Sequence, residues 1–194
     1  MSADDALRLG TRERLPDALR TLLAEYPREG WSDHAGMGAL TRFWLERHGM
    51  FRQLLTALEG DARATVDGQM DPRAHAGRLQ RLGGVFVNEL HGHHSIEDAH
   101  YFPRLRALDP AVEQGFAILD ADHHALDGQL DGFAQAANTV LLRFSDARDD
   151  ERRDRAGTFL TALEAFHPLL DRHLVDEEEI IVPVLLKYGE QSIG

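Results

Sequence analysis

The sequence predicts an all-α protein, an antiparallel up-down-up-down four-helix bundle preceded by a short N-terminal accessory helix. Three observations carry this. Four long segments place apolar residues at alternating steps of three and four, strand signals are nearly absent, and Asp71-Pro72 and Asp109-Pro110 separate the first three segments. Amphipathic helices joined by short connections bury their stripes around a common axis. At 194 residues the chain suits one domain with an extension and leaves little room for a second catalytic domain.

Taken in order, Arg12–Tyr26 carries Leu15, Leu19, Leu22 and Leu23 at helical spacing and is ended by Pro27 and Gly30, which predicts the accessory helix. Residues 1–36 are read as an N-terminal extension and 37–190 as the bundle. The first long helix, about 37–66, follows the stripe Met37, Leu40, Trp44, His48, Phe51, Leu55, Leu58, Ala62 and fades in the Gly60–Gly68 region. The second starts near Arg73, after the turn-forming Asp71-Pro72, and runs through Leu79, Leu82, Phe86, Leu90 and His93 to about Ala107, where Asp109-Pro110 stops it. The third carries the clearest stripe, Phe116, Leu119, His123, Leu126, Leu130, Phe133, Ala137, Val140, Phe144. The fourth runs from near Asp150 through Phe159, Leu163, Phe166 and Leu170 to about Lys187, before Gly189, with a kink expected at Pro168. The charged stretch Ser145–Arg155 is read as an exposed connection and helix start, and residues 1–10 and the last few as loose ends.

Composition removes several classes of function. Against 33 acidic residues stand 21 Lys and Arg, a formal net charge of −12, which argues against binding phosphate backbones or an anionic membrane surface. The absence of Cys excludes disulfides, thiolate nucleophiles, Cys zinc sites and iron–sulfur clusters, so any metal must be held by nitrogen and oxygen. Met1 is followed by Ser2-Ala3-Asp4-Asp5 rather than a basic start and apolar core, and no apolar run approaches a membrane span, so a soluble, cytoplasmic protein is expected.

The unusual feature is His, 11 residues, clustered and accompanied by carboxylates. Leu90, His93, Glu97, Asp98, Pro103 and Leu105 repeat at identical offsets as Leu170, His173, Glu177, Glu178, Pro183 and Leu185, so both segments read L-x2-H-x3-E-[DE]-x4-P-x-L. A looser repeat relates His48, Phe51, Leu55, Leu58 to His123, Leu126, Leu130, Phe133. The chain thus reads as two helical hairpins, each with one lone His and one His-x3-Glu pair. Residues four apart share a helix face, so His93 stands beside Glu97 and His173 beside Glu177. A lone His in an apolar stripe is usually a hydrogen-bonded core residue. The repeated constellation favours a metal site over a metal-free polar core, because buried carboxylates without partners are costly and a pair of cations resolves them. Helix-borne imidazoles and carboxylates without soft ligands are the class of donor set found in di-iron and di-manganese bundles.

The pattern resembles the hemerythrin-like cation-binding domains, over about residues 37–187, and the paired H-x3-E-[DE]-x4-P signature is the most specific part of the match. The resemblance implies His48, His93, Glu97, His123, His173 and Glu177 as ligands of two non-haem irons, with Glu97 and Glu177 bridging and an oxo or hydroxo group joining the ions. It departs from the oxygen-carrying members on the third helix, where His123 is followed at i+4 by Asp127 instead of His, and on the fourth, where H-x3-E replaces H-x4-D. A fifth imidazole is therefore missing from the pattern. His94 and Asp127 are the groups that could complete it, His124 competes with His123, His100 is a candidate relay, and Tyr101 a candidate donor to a bound oxygen species. His34, His75, His91 and His167 are read as surface residues, and Asp98 and Glu178 as outward-facing or supporting the ligands.

The leading functional expectation is a non-haem di-iron protein that binds dioxygen, peroxide or nitric oxide at an open iron position, with oxygen or iron sensing or storage as its use. A peroxide-decomposing enzyme is the alternative at the same centre, and a structural bundle binding zinc or another divalent ion the alternative from another class. The implied partner is a small diatomic ligand or peroxide, with neither nucleic acid nor membrane. Neither G-x-S-x-G nor H-E-x-x-H occurs, so hydrolysis has weak support.

Overall fold

The computed structural model describes residues 5–142 and 147–193. Among them every regular element is helical: α1 Thr21–Glu25, α2 Ala39–Val66, α3 Pro72–Ile96, α4 Phe102–Leu108, α5 Glu113–Leu141 and α6 Asp149–Tyr188, with a π turn at Glu97–Tyr101 joining α3 to α4. No described helix is long and apolar enough to cross a membrane.

Helix ends follow local chemistry. At the start of α2 the N–H groups of Leu40 and Thr41, which lack partners within the helix, donate to the Glu190 carboxylate at 3.2 and 2.7 Å. Gly38 makes room for it, since a Cβ there would lie 2.1 Å from a Glu190 oxygen. After α2 the chain turns at Gly68, whose φ of 72° is unfavourable for other residues. Asp71 then caps α3, accepting from Arg73 and Ala74 N–H at 2.9 and 3.1 Å, while Pro72 occupies the first turn, where its missing donor does no harm.

Several expectations are corrected. The accessory helix does not extend over Arg12–Tyr26: only Thr21–Glu25 is α-helical, with 3-10 turns at Asp17–Leu19 and Arg28–Gly30. Pro16, extended at φ −55° and ψ 144°, interrupts it, yet Leu15, Leu19 and Leu22 are buried as the stripe required. The second helix is not one continuous α-helix, because the π turn divides it ahead of Pro103. As expected, α6 runs on past Pro168, and it is α-helical through Pro183 as well. Near the ends, Leu9 and Ile193 are packed rather than loose. Arg148–Glu151 are exposed, as expected of the charged connection; its beginning at Ser145, and Phe144 of the third stripe, lie outside the described residues.

The chain forms two compact units. One draws on residues up to Gly49, His93–Ala125 and the residues from Leu169; the other comprises Met50–Gly92 and Leu126–Pro168. The first has a core in which Trp44, Phe102, Phe116, Leu119, Ile180 and Leu185 meet Leu15, Leu19 and Leu22 of the extension. The second is built on phenylalanines, with Phe86 in ring contact with Phe51, Phe133 and Phe166 at centroid distances of 6.2, 5.3 and 6.0 Å.

His75 belongs to this second core and is not a surface residue; it is 1% exposed, its ring 6.3 Å from that of Phe159. It stands four residues before Leu79 on α3 and shares that buried face. Burial lowers its pKa from 6.5, only partly opposed by Asp61. The unfolded chain therefore takes up a proton at His75 below about pH 6.5 that the folded chain resists, so stability falls as pH drops through that value, by at most about 1.4 kcal/mol per pH unit. His75→Gln removes this contribution. Its urea-unfolding free energy is expected to gain on that of the parent between pH 7.5 and 5.5, and a constant difference over that range would refute the assignment.

Candidate metal centre

Seven buried residues of the first unit converge. In one group, the ligating atoms of His48 on α2, His93 on α3, Glu97 at the π turn and Glu177 on α6 all lie within 4.8 Å of one another; in a second, those of His94 on α3, His123 on α5 and His173 on α6 do the same. The two carboxylates connect the groups. Glu97 places Oε1 3.0 Å from His93 Nε2 and Oε2 3.5 Å from His123 Nε2. Glu177 places Oε1 3.3 Å from His48 Nε2 and Oε2 3.2 Å from His173 Nε2. Each carboxylate thus has one oxygen toward each group.

Around these lie residues that aim the imidazoles. His48 Nδ1 meets Glu178 at 3.0 Å, His123 Nδ1 meets Asp98 at 2.7 Å, and His173 Nδ1 meets Asp122 at 3.4 Å. With Nδ1–H donating outward, Nε2 keeps its lone pair for the interior. The Trp44 indole N–H donates to Glu177 Oε1. Asp122 and Asp176 share the buried Arg12 guanidinium, and Glu178 accepts from Arg28 at 2.6 Å.

The electrostatics show how poorly this cluster is satisfied by protein alone. Burial, then the neighbouring Glu177, raises the pKa of Glu97 well above its ordinary 4.5. Glu177 goes the other way: burial opposes its charge, but His48, His173 and His93 outweigh it and hold it well below the usual range. His173 is raised to about 9 against the effect of burial, by Asp122 and Glu177, and His48 is raised by Glu177 and Glu178. Burial lowers His93 to about 3 and puts His94 well below 6.5. Even so, both oxygens of Glu97, Oε2 of Glu177, both ring nitrogens of His94 and the Nε2 atoms of His123 and His173 are buried without a hydrogen-bond partner. Unpaired buried acceptors in such number are rare in folded proteins. Lone pairs of two carboxylates and five imidazoles converging on two points fit cations of the nitrogen-and-oxygen-binding class.

A family model described as the hemerythrin HHE cation-binding domain matches residues 39–185. The chain belongs to the hemerythrin HHE family. Searches of curated proteins and of solved structures each gave no match. Membership in the hemerythrin HHE family makes metal binding the property to be expected of the His and Glu cluster.

All six site residues expected from the sequence lie in the two groups. The structure adds His94 of α3 to the second group, its ring stacked on that of His123 at 4.1 Å. His123, not His124, belongs to the cluster; His124 is exposed and bonded through Nδ1 to its own helix at Asp120. Asp127 and His100 are exposed and join neither group. Tyr101 packs on Trp44 at 5.0 Å. Asp98 and Glu178 are both acceptors for imidazoles. Their signal was the acidic residue after Glu in both copies of the repeat. Arg12, Asp122 and Trp44 went unrecognised because no spacing links Arg12 to Asp122, 110 residues away, or Trp44 to Glu177, 133 residues away.

Proposed function

We propose that the protein is a hemerythrin-like di-iron protein whose helices α2, α3 with α4, α5 and α6 form an up-down-up-down bundle, and that it binds dioxygen, nitric oxide or peroxide. The observation that carries this reading is the division of each carboxylate, Glu97 and Glu177, between the two imidazole groups. His48 and His93 would hold one ion, His94, His123 and His173 the other, and the two glutamates both. Bound iron supplies reversible coordination of a small oxygen or nitrogen-oxide ligand.

What the chain contributes is position and exclusion. Glu178, Asp98 and Asp122 fix the tautomers of His48, His123 and His173, and Trp44 holds Glu177 by its indole N–H. Two imidazoles on one side and three on the other make the His48–His93 side the less filled. A cavity of about 70 Å³ adjoins that side, walled by Leu40, Phe43, Trp44, Ile96 and Tyr101 and reaching His93 and Glu97. A buried water needs about 10–15 Å³ of such space, so the cavity has room for a diatomic molecule or peroxide beside His93 and Glu97.

The test is elemental analysis of the protein reconstituted anaerobically with Fe(II), with its absorption followed on admitting and then removing air. Near two irons per chain with a reversible spectral change is expected; iron well below one per chain, with zinc taken up in its place, would favour the structural bundle. Oxygen release from peroxide above that of free iron would favour the enzyme. His94→Ala is expected to lower the stoichiometry from about two irons toward one, leaving the His48–His93 side occupied. Retention of two irons in that variant would remove His94 from the ligand set.

A further inference from the structure

Residues 5–38 precede the span matched by the family model, yet they reach the metal cluster through two parallel chains of contact. In the first, Arg12, 5% exposed, donates from Nε to Asp176 at 2.8 Å and from its terminal nitrogens to Asp122, which in turn meets His173 Nδ1. In the second, Arg28 donates to Glu178 Oε2 at 2.6 Å, and Oε1 of the same carboxylate meets His48 Nδ1 at 3.0 Å. His173 belongs to one ligand group and His48 to the other. Each candidate metal position therefore has one imidazole whose outward N–H ends on a carboxylate that is itself held by an arginine of the extension. A third arginine, Arg20, pairs with Glu179 at 3.0 Å, on the same acidic run of α6, but Glu179 has no imidazole partner among the described residues.

A carboxylate accepting an imidazole N–H increases electron donation through the far nitrogen, and a cation on that carboxylate moderates the effect. The geometry points to Arg12 and Arg28 as positioning residues of the metal pair: the extension sets the charge behind one ligand of each ion and thereby its reduction potential. This rests on the di-iron reading above. Arg28 has the clearer test, because its side chain is 43% exposed whereas that of Arg12 is buried. Its Cζ lies 4.6 Å over the Trp31 ring, which holds the guanidinium in place.

The experiment compares full-length parent, Arg28→Gln, Arg28→Lys and Arg20→Gln, all loaded with iron, by metal content, circular dichroism and spectroelectrochemical titration. With two irons retained, Arg28→Gln is expected to shift the oxidised-to-reduced ratio at the parent midpoint about tenfold toward oxidised, a fall of about 59 mV for one electron. Arg28→Lys should recover most of that shift, and Arg20→Gln, which removes the same charge from the same segment, should show little of it. An unchanged midpoint in Arg28→Gln, or an equal fall in Arg20→Gln, would overturn the proposal. Should Arg28→Gln fail to fold, Glu178→Gln reads the pair from the other side: it keeps an acceptor for His48 and removes the negative charge, so its midpoint must rise. Parent protein that binds fewer than two irons would instead refute the di-iron reading itself.

Discussion

Glu177→Ala is expected to abolish the paired metal site, leaving at most one iron per chain, and to erase the thermal stabilisation that metal confers. Both groups lose a neighbouring carboxylate oxygen at once, because Oε1 faces His48 and Oε2 faces His173. Two ions at about a hundred times their dissociation constants stabilise the fold by roughly 2.7 kcal/mol each. For a chain of this size that corresponds to a rise in Tm on the order of 10 °C. The comparison is of melting curves and iron content with and without metal, for parent and variant. A variant that still gains 10 °C and two irons would refute the role given to Glu177.

Glu97→Gln is expected to act in opposite directions with and without metal. In the metal-free protein Glu97 is buried against Glu177, and its pKa is raised, by burial first and by that neighbour second. A carboxyl group with a raised folded pKa favours the fold below its unfolded value near 4.5 and loses that contribution as pH rises. The parent apo-protein therefore weakens between about pH 4.5 and 7, and the neutral amide does not. Glu97→Gln should make the apo-protein more stable by about 1–3 kcal/mol at pH 7, with the advantage growing from pH 4.5 upward. The metal-loaded form should lose both the pair and its stabilisation. Since the folded environment raises the proton affinity of Glu97, His48 and His173, protons compete with metal at these groups and metal affinity in the parent should rise with pH. An apo-variant less stable than the parent at every pH would contradict this account.

The elements that periodicity predicts are the long ones. Stripes of apolar residues placed α2, α5 and α6 within a few residues of their observed spans, since packing on one face requires that spacing whatever the fold. The neighbouring pairs His93–Glu97 and His173–Glu177 were legible for the same reason, four residues being about one helical turn. Local signals failed where tertiary packing decided the outcome. Leu15, Leu19 and Leu22 enter the core from a broken chain rather than one helix, because Pro16 prevents a continuous turn while burial still requires the leucines. His75 resembled a turn residue by its proximity to Pro72, yet its phase on α3 puts it inside. His94 could not be assigned from spacing, since it neighbours His93 and only the approach of α5 and α6 shows its ring stacked on His123 and edge-on to His173. The π turn is the least legible feature, because Glu177 and Pro183 repeat the spacing of Glu97 and Pro103 in a helix that stays regular.

That turn makes Glu97 and Glu177 mechanically unequal. Glu177 projects from an α-helix whose backbone bonds continue on both sides, whereas the carbonyl of Glu97 is bonded to the N–H of Phe102, five residues on. A wide turn can exchange its bonds for the ordinary four-residue pattern by a small slide of the backbone, so Glu97 sits on a compliant mount and Glu177 on a stiff one. If redox-active ions are held there, a change in their size with charge would move the compliant side first. The displacement would pass into α4 and reach Asp109, which accepts from Lys187 Nζ and the Tyr188 hydroxyl at 3.0 Å each at the end of α6. A change of valence at the centre would then be felt as a pull on the C-terminal end of the chain.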